Sequence, residues 1–245
     1  MTDPTAPLLR VPAVDDWWRL TRRFPDYRKA SHSVLKDYGY MELMALVGDR
    51  GLADRRAAIL EYGHGFNPAL FAAFHARCHM TGVDDDMGLA YFPSGESWDA
   101  KRKERLLDPF PDVRFVRGLL GGPLDVREGS QDLVCSVSVM EELDPATTAR
   151  VVEHAHRLLV PGGLFAGTID FCVTGADRYF NLMQLLVSSG FDFRFDPARP
   201  PNANPYTILV ENPTAVMTMY MQAAGEDRRY QGHWTTAFFV ARKPA

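Results

Sequence analysis

The stretch Glu61-Tyr62-Gly63-His64-Gly65-Phe66-Asn67-Pro68 decides the fold of this chain. It lies between an apolar run at residues 57–63 and a segment at 68–77 whose apolar residues have helical spacing. Glycines at such a corner allow positive φ and close approach of the backbone to a ligand. Asn67 is a good N-cap residue and Pro68 suits the first position of a helix. The stretch therefore predicts a corner between a strand and a helix that can bind a ligand.

Outward from this corner, strands and helices alternate along the sequence. Short apolar or β-branched runs predict strands at residues 80–84, 113–116, 132–139, 164–169 and 234–241. Helical spacing predicts helices at 147–159 and 176–189. This order is typical of βαβ units and a mainly parallel sheet. The predicted fold is α/β and doubly wound, with a mostly parallel seven-stranded sheet, an antiparallel last strand and N-terminal helices.

The N-terminal part of the sequence has a different character. Residues 1–12 contain three prolines and predict a loose arm. Helices are expected from Asp15 and from Ser31 or Ser33 onward. We therefore divide the chain into a helical cap or arm at 1–56 and a ligand-binding domain at 57–245. Polar or proline-rich stretches near 93–112 and 197–230 predict insertions in that domain.

A carboxylate closes the strand that follows the corner. Asp84 ends the run Met80-Thr81-Gly82-Val83-Asp84, nineteen residues after Gly65. At this place a carboxylate can accept hydrogen bonds from both ribose hydroxyls of a nucleoside that lies across the strand ends. The corner and Asp84 together predict a nucleoside site.

At this point the sequence resembles the class I methyltransferases that depend on S-adenosylmethionine (SAM). Their first motif, ExGxGxG, is similar to the stretch from Glu61 to Asn67, and their second strand ends in an acid as Gly82-Val83-Asp84 does. The segments 131–143 and Leu159-Val160-Pro161-Gly162-Gly163-Leu164 resemble the fourth strand with its continuation and the "LkPGG" turn. The resemblance covers residues 57–245.

The resemblance implies a SAM-dependent methyltransferase with S-adenosylhomocysteine as product. Glu61 would orient the glycine turn and the methionine amino group, and Asp84 would hold the ribose. The backbone near Ser136 would face the sulfonium. Together with their neighbours in the sequence, the cofactor-binding residues that the resemblance implies are Glu61, Gly63, His64, Gly65, Asn67, Asp84, Asp85, Leu119 and Ser136.

Three positions depart from the family pattern. Asn67 replaces the third glycine, and asparagine tolerates left-handed backbone better than most residues. Gly118-Leu119-Leu120 has no acid after the third strand of the domain, which favours apolar packing against adenine. Glu142 stands where the family often has histidine. The Asn/Asp-Pro-Pro-Tyr signature of many amino-group methyltransferases is missing, which favours oxygen as the methylated atom.

The predicted acid–base residues are Glu141 and Glu142, which follow the fourth strand of the domain, and His233, which precedes the last strand. Acids at that place also suit the N-terminus of a helix through its dipole. His75 and His79 have the i, i+4 spacing of metal ligands, but no further ligand cluster is visible, and no metal site is predicted.

Composition limits the partners that we expect. The net charge of −4 gives no overall basic footprint for nucleic acid. No apolar run approaches the ~18 residues of a membrane span. Three cysteines without a CxxC pair fit reduced thiols, and we expect a cytoplasmic protein. The expected partner is a small-molecule acceptor, with a homodimer as a further possibility from the aromatic residues of the N-terminal helices.

Two other functions remain open from the sequence. An NAD-dependent oxidoreductase would share the strand, the glycine corner and the ribose acid, although Glu61 and the Pro-Gly-Gly turn argue against it. A non-catalytic binding protein on the same fold would account for the departures at Asn67, Leu119 and Glu142.

Overall fold

The computed structural model of the chain describes residues 8–27, 33–84, 103–172, 177–192, 208–211 and 234–245. In this part of the chain one sheet is formed by β1 (Leu8–Arg10), β2 (Ala58–Tyr62), β3 (His79–Asp84), β4 (Arg114–Arg117), β5 (Gln131–Val137), β6 (Leu159–Cys172) and β7 (Trp234–Arg242). The strand order is β1-β7-β6-β5-β2-β3-β4. β2 to β6 pair in parallel, whereas β7 is antiparallel to both β6 and β1. The predicted sheet with its antiparallel last strand is confirmed.

Helices cover both faces of this sheet. They are α1 (Val14–Arg23), α2 (Val34–Asp49), α3 (Ala69–Phe74), α4 (Pro145–Leu158) and α5 (Asp177–Ser188). Successive strand residues point to opposite faces. Ile59 and Leu133 accordingly belong to the apolar cluster that contains residues of α1, α2 and α3. Leu60 and Val134 belong to the cluster of α4 and α5. The carboxyl ends of the parallel strands therefore open between two packed helix layers.

Local capping explains where two of the helices begin. Ser33 is the N-cap of α2, and its side chain accepts a hydrogen bond from the Lys36 amide. Asp144 caps α4, where its carboxylate accepts from the amides of Ala146 and Thr147, each at 3.0 Å. Such caps supply partners for backbone N–H groups that have none within the helix.

The N-terminal segment differs from its prediction as a loose arm. Residues 8–10 form β1 at the edge of the sheet, next to β7. Leu9 is buried, and the Arg10 guanidinium lies 5.7 Å from the centre of the Phe238 ring and bonds the Glu42 carboxylate. Residues 8–10 form a strand because they pair with the edge of β7 and because Arg10 bonds to the buried Glu42. Both partners are far away in sequence, so local propensity does not predict this strand.

The predicted insertions are described only in part. In the first, Lys103–Leu107 forms a single π-helical turn that buries Leu106, and residues 93–102 lie outside the described residues. In the second, only residues 208–211 are described. No helix in the described ranges is long and apolar enough to cross a bilayer.

Gly167 gives a test of the sheet packing. A Cβ built on Gly167 of β6 would lie 1.8 Å from the Ser136 carbonyl oxygen of β5, and backbone cannot move aside there. We expect Gly167→Ala to lower the free energy of unfolding by about 3 kcal/mol or more, measured by chemical denaturation. Gly48→Ala in α2 is the matched control, because its nearest neighbour would be the Arg23 Nη2 atom at 3.7 Å. The control should be neutral or stabilising by about 0.5–1 kcal/mol. Equal stability of the two variants would contradict the packing described for β5 and β6.

Candidate active site

The glycine corner after β2 has the backbone geometry that its sequence predicts. Gly63 and Gly65 have φ values of 70° and 54°, in the left-handed region. The Gly63 amide donates to the Val83 carbonyl oxygen at 2.8 Å, which fixes the corner against β3. A Cβ on Gly63 would lie 2.5 Å from Cγ2 of Val139, whereas one on Gly65 would have no atom of the described residues within 4 Å. The first glycine is closely packed, and the second borders space that the described residues leave open.

Asp84 at the end of β3 contacts this corner directly. Its Oδ2 accepts a hydrogen bond from the Gly65 amide at 2.6 Å, and its side chain is 14% exposed. The Gly118 amide donates to the Asp84 carbonyl oxygen at 2.7 Å, which brings the end of β4 to the same place. The corner and the acid that the sequence predicts as a nucleoside site are thus adjacent.

His64 and Asn67 support the corner from within the protein. The His64 ring is buried, its Nδ1 lies 2.8 Å from the Gly65 carbonyl oxygen, and it makes edge contacts with the rings of Phe71 and Phe115. Asn67 Oδ1 accepts a hydrogen bond from the Ala69 amide at 3.0 Å. α3 begins at Ala69 with Pro68 as its N-cap, one residue later than predicted, but Asn67 still provides the capping oxygen. Both side chains therefore hold the turn.

Glu61 is fully buried beneath the corner. The Tyr40 hydroxyl of α2 donates to its Oε1 at 3.0 Å, and its Oε2 has no hydrogen-bond partner among the described residues. Burial raises the pKa of Glu61 to about 8, the Tyr40 hydrogen bond opposes the rise, and the charge of Asp84 adds to it. An oxygen that is buried without a donor fits an incoming ammonium or hydroxyl group.

Leu119 offers an apolar surface beside Asp84. It is 44% exposed, whereas Leu120 is buried in the core. β4 pairs with β3 up to Arg117, opposite Asp84, so the loop that holds Leu119 begins next to the carboxylate. An exposed leucine at this position suits contact with a flat apolar base.

At the end of β5 lie the predicted residue Ser136 and two residues that sequence reasoning missed, Ser138 and Val139. Ser136 is fully buried within the strand, opposite Tyr62, and its Oγ has no partner among the described residues. Ser138 follows with a left-handed φ of 51°, and its amide donates to Thr168 Oγ1 at 3.1 Å. Val139 then packs on Gly63. A small residue directly after a strand is the sequence feature that could have identified Ser138 as a site residue. No local sequence pattern identifies Val139.

The predicted acid–base residues have different surroundings. Glu141 is 4% exposed and Glu142 is exposed, although both belong to the 3-10 turn Met140–Glu142. Burial raises the pKa of the Glu141 carboxyl well above its usual range, and the charge of Asp170 adds to the rise. His233 and Asp85 lie outside the described residues. Asp170, two residues before the end of β6, was missed; its signal was an acid directly after the apolar run at 164–169.

The described residues contain no group of three or more histidine, cysteine or acidic side chains that could hold a metal ion. Their polar groups meet instead at the carboxyl ends of β2, β3 and β5. In open α/β sheets, ligands bind at these ends where the strand order reverses, and here it reverses between β2 and β5. This reversal is therefore the candidate ligand site, with Asp84 on its β3 side and Glu141 on the side of β5.

Comparisons with known proteins agree with this fold. Residues 60–167 match a family model described as "Methyltransferase domain". A structure of a putative sarcosine dimethylglycine methyltransferase from Galdieria sulphuraria superposes with a TM-score of 0.53 at 11% identity, covering 94% of this chain and 98% of that one. A putative methyltransferase from Bacillus halodurans C-125 gives a TM-score of 0.50 at 15% identity, over 82% of this chain and 99% of that one. No curated protein matches the chain.

The fold is thus that of the class I, Rossmann-like methyltransferases. Residues 60–167 therefore form a methyltransferase domain, and this domain contains the glycine corner, Asp84 and the end of β5. The same fold also carries other chemistry, because the 4+2 cyclase SpnF superposes with a TM-score of 0.50 at 15% identity over 96% of this chain and 98% of that one.

The buried carboxyl of Glu61 predicts a pH dependence of stability. Its pKa is about 8 in the folded protein and 4.5 in the reference state, so the folded protein binds more protons between these values. The free energy of unfolding should therefore fall as pH rises from about 4.5 to about 8. In Glu61→Gln this contribution is absent, so the variant should gain at least ~1 kcal/mol relative to wild type between pH ~5 and ~8. Denaturant titrations at several pH values measure the difference.

Glu153→Gln is the control for this test, because Glu153 is exposed on α4. Its stability should follow that of wild type at every pH. A stability difference between Glu61→Gln and wild type that stays constant with pH would show that Glu61 is ionised in the folded protein.

Proposed function

We propose that this methyltransferase acts on a hydroxyl group of a small-molecule acceptor. One observation carries the proposal: a buried acid, Glu141, lies in the turn that follows β5, and this turn borders the glycine corner through Val139. A neutral hydroxyl must lose its proton when it accepts a methyl group, so an acid–base group at the acceptor side supports an oxygen acceptor. The missing amino-group signature also favours oxygen over nitrogen, and the net charge of −4 favours a small molecule over a nucleic acid.

The cofactor fits the residues at the corner. SAM supplies an activated methyl group, bound to a sulfonium that becomes a neutral thioether on transfer. We assign its ribose to Asp84, with Asp85 next in the chain, and its methionine amino group to the Oε2 atom of Glu61. The open space at Gly65 accommodates a ligand against the backbone, and the exposed Leu119 side chain suits the adenine.

In this proposal the remaining cofactor-binding residues hold the backbone of the site in position. Gly63 keeps the corner close to β3, while His64 and Asn67 hold its shape through the contacts described above. Ser136 holds the end of β5 beside β2. A rigid site of this kind aligns donor and acceptor, and alignment alone can lower the barrier by ~7–11 kcal/mol.

On the acceptor side we place Glu141 next to the acceptor hydroxyl, ahead of Glu142 and His233. Glu141 is buried, and burial raises the pKa of its carboxyl and so makes it more basic, whereas Glu142 is exposed. Glu142 and His233 stay predictions for contacts with the acceptor.

Ligand binding tests the proposed nucleoside site. Isothermal titration calorimetry should show binding of SAM and S-adenosylhomocysteine and no binding of NAD. Asp84→Asn should weaken both by tenfold or more, because each hydrogen bond to a charged group contributes about 1.5–3 kcal/mol. Asp112→Asn, at an exposed position, is the control and should bind as wild type does. Binding of NAD without SAM would overturn the proposal, and wild-type affinity in Asp84→Asn would remove Asp84 from the site.

The methylated atom is tested with SAM that carries a carbon-13 methyl group. The protein is incubated with this SAM and the small-molecule fraction of a cell extract, and the products are examined by carbon NMR. We expect a methyl resonance in the range of carbon bound to oxygen. A resonance typical of carbon bound to nitrogen would contradict the oxygen assignment, and the absence of any labelled product would favour a binding protein.

A further inference from the structure

Two buried acids meet at the ends of β5 and β6. These strands pair in parallel, with Val137 opposite Thr168, so their carboxyl ends lie side by side. Glu141 belongs to the turn that follows β5, and Asp170 lies two residues beyond Thr168 on β6. The turn packs against β6, and the charge of Asp170 raises the pKa of Glu141. The two strands therefore bring together acids that are 29 residues apart in sequence.

Each of the two acids has an oxygen atom without a donor. Glu141 Oε2 and Asp170 Oδ1 are buried and have no hydrogen-bond partner among the described residues. Glu141 as a whole is 4% exposed, whereas Asp170 keeps partial contact with solvent. Buried polar atoms without partners destabilise a fold by about 1–3 kcal/mol each, so their presence at a strand end indicates a ligand group that they receive.

The position of this pair relative to the glycine corner follows from Val139. The chain passes from Ser138, which is bonded to Thr168, through Val139, which packs on Gly63, to Glu141. The Glu141 backbone thus begins two residues after a contact with the cofactor corner. The pair lies on the β6 side of that corner, whereas Asp84 lies on its β3 side.

Charged and polar groups from several described elements act on the two acids. Lys36 of α2 lowers the pKa of both acids, Glu142 of the same turn raises that of Glu141, and Glu211 of the segment 208–211 raises that of Asp170. Burial has the largest effect on Asp170, against which the hydroxyls of Thr236 and Ser138 act, and its pKa is raised to about 6. Burial and the charge of Asp170 both favour the protonated form of Glu141.

We propose that Asp170 takes up the proton of the acceptor hydroxyl, and that Glu141 positions this hydroxyl by donating a hydrogen bond to it. The inference rests on the proposed function and deepens it, because it names a residue and restricts the acceptor to groups that bear a proton. As the acceptor oxygen bonds to the methyl carbon, the carbon–sulfur bond breaks, its electron pair goes to sulfur, and the hydroxyl proton goes to Asp170. The partial exposure of Asp170 then lets the proton leave to water.

The test uses sinefungin, a SAM analogue in which a carbon with a primary amine replaces the methyl-bearing sulfur. When it is bound, its ammonium group occupies the place of the methyl group, next to the acceptor. S-adenosylhomocysteine lacks that group and serves as the reference ligand. Any effect of Glu61 on the amino acid end is common to both ligands and cancels in the ratio of their dissociation constants.

We expect sinefungin to bind at least tenfold more tightly than S-adenosylhomocysteine at pH ~7.5, measured by calorimetry, because the negative charge of the pair receives the ammonium group. The preference should fade as pH falls through about 6, where Asp170 takes up a proton. In Asp170→Asn the two ligands should bind within about threefold of each other, and S-adenosylhomocysteine should keep its wild-type affinity. Glu153→Gln, at an exposed position on α4, should keep the wild-type preference.

The outcomes distinguish a wrong role for Asp170 from a wrong proposed function. If S-adenosylhomocysteine binds but sinefungin has no advantage, or the advantage survives in Asp170→Asn, the role of Asp170 is wrong and the cofactor site stands. If neither ligand binds wild type, the proposed function fails and this inference fails with it. The pH dependence is measured on the unmodified protein, so the test holds even when Asp170→Asn does not fold.

Discussion

The hydrogen bond from the Gly65 amide to the Asp84 carboxylate ties together the two parts of the chain on which the site depends. At 2.6 Å it is a short, charge-assisted bond, and it joins the corner after β2 to the last residue of β3. Gly65 reaches this position only with a left-handed backbone, which a residue with a side chain adopts at a cost of about 1 kcal/mol or more. The bond sets the distance between the open space at the corner and the acid that we assign to the ribose. The other contacts of the corner, from Val83, His64 and Asn67, hold the glycines where this bond can form.

A second constraint is the burial of carboxyl groups around the crevice. Glu61, Glu141 and Asp170 all have raised pKa values, and burial is the largest cause for each of them. Such acids disfavour their own ionised forms, so they receive a positively charged or proton-donating ligand readily. The sulfonium and ammonium groups of the cofactor are positively charged, and the acceptor carries a proton that it can donate. Both therefore complement the buried carboxyl groups. The stability that the buried acids remove from the fold is in this account recovered when ligands bind.

The sequence predicted the sheet and the glycine corner next to Asp84 because both depend on local patterns. The corner from Glu61 to Pro68, the acid at Asp84 and the Pro-Gly-Gly turn are each readable within a few residues, and their order indicated the fold. The strand β1 was missed because three residues next to prolines have little propensity of their own, and they join the sheet through Val240, Phe239 and Phe238. Asp170 was missed for a related reason. Its pairing with Glu141 arises only when β5 and β6 lie side by side, and nothing in the sequence near either residue indicates the other.

The central claim is that the corner after β2 and the end of β3 together bind an adenosyl compound. A crystal structure of the protein with S-adenosylhomocysteine tests it most directly. The account predicts the ribose hydroxyls at the Asp84 carboxylate, the backbone of Gly65 against the ligand, and the thioether sulfur on the side of Ser138 and Asp170. Density for the ligand at another edge of the sheet, or side chains that fill the space at Gly65 while the ligand is bound elsewhere, would contradict it.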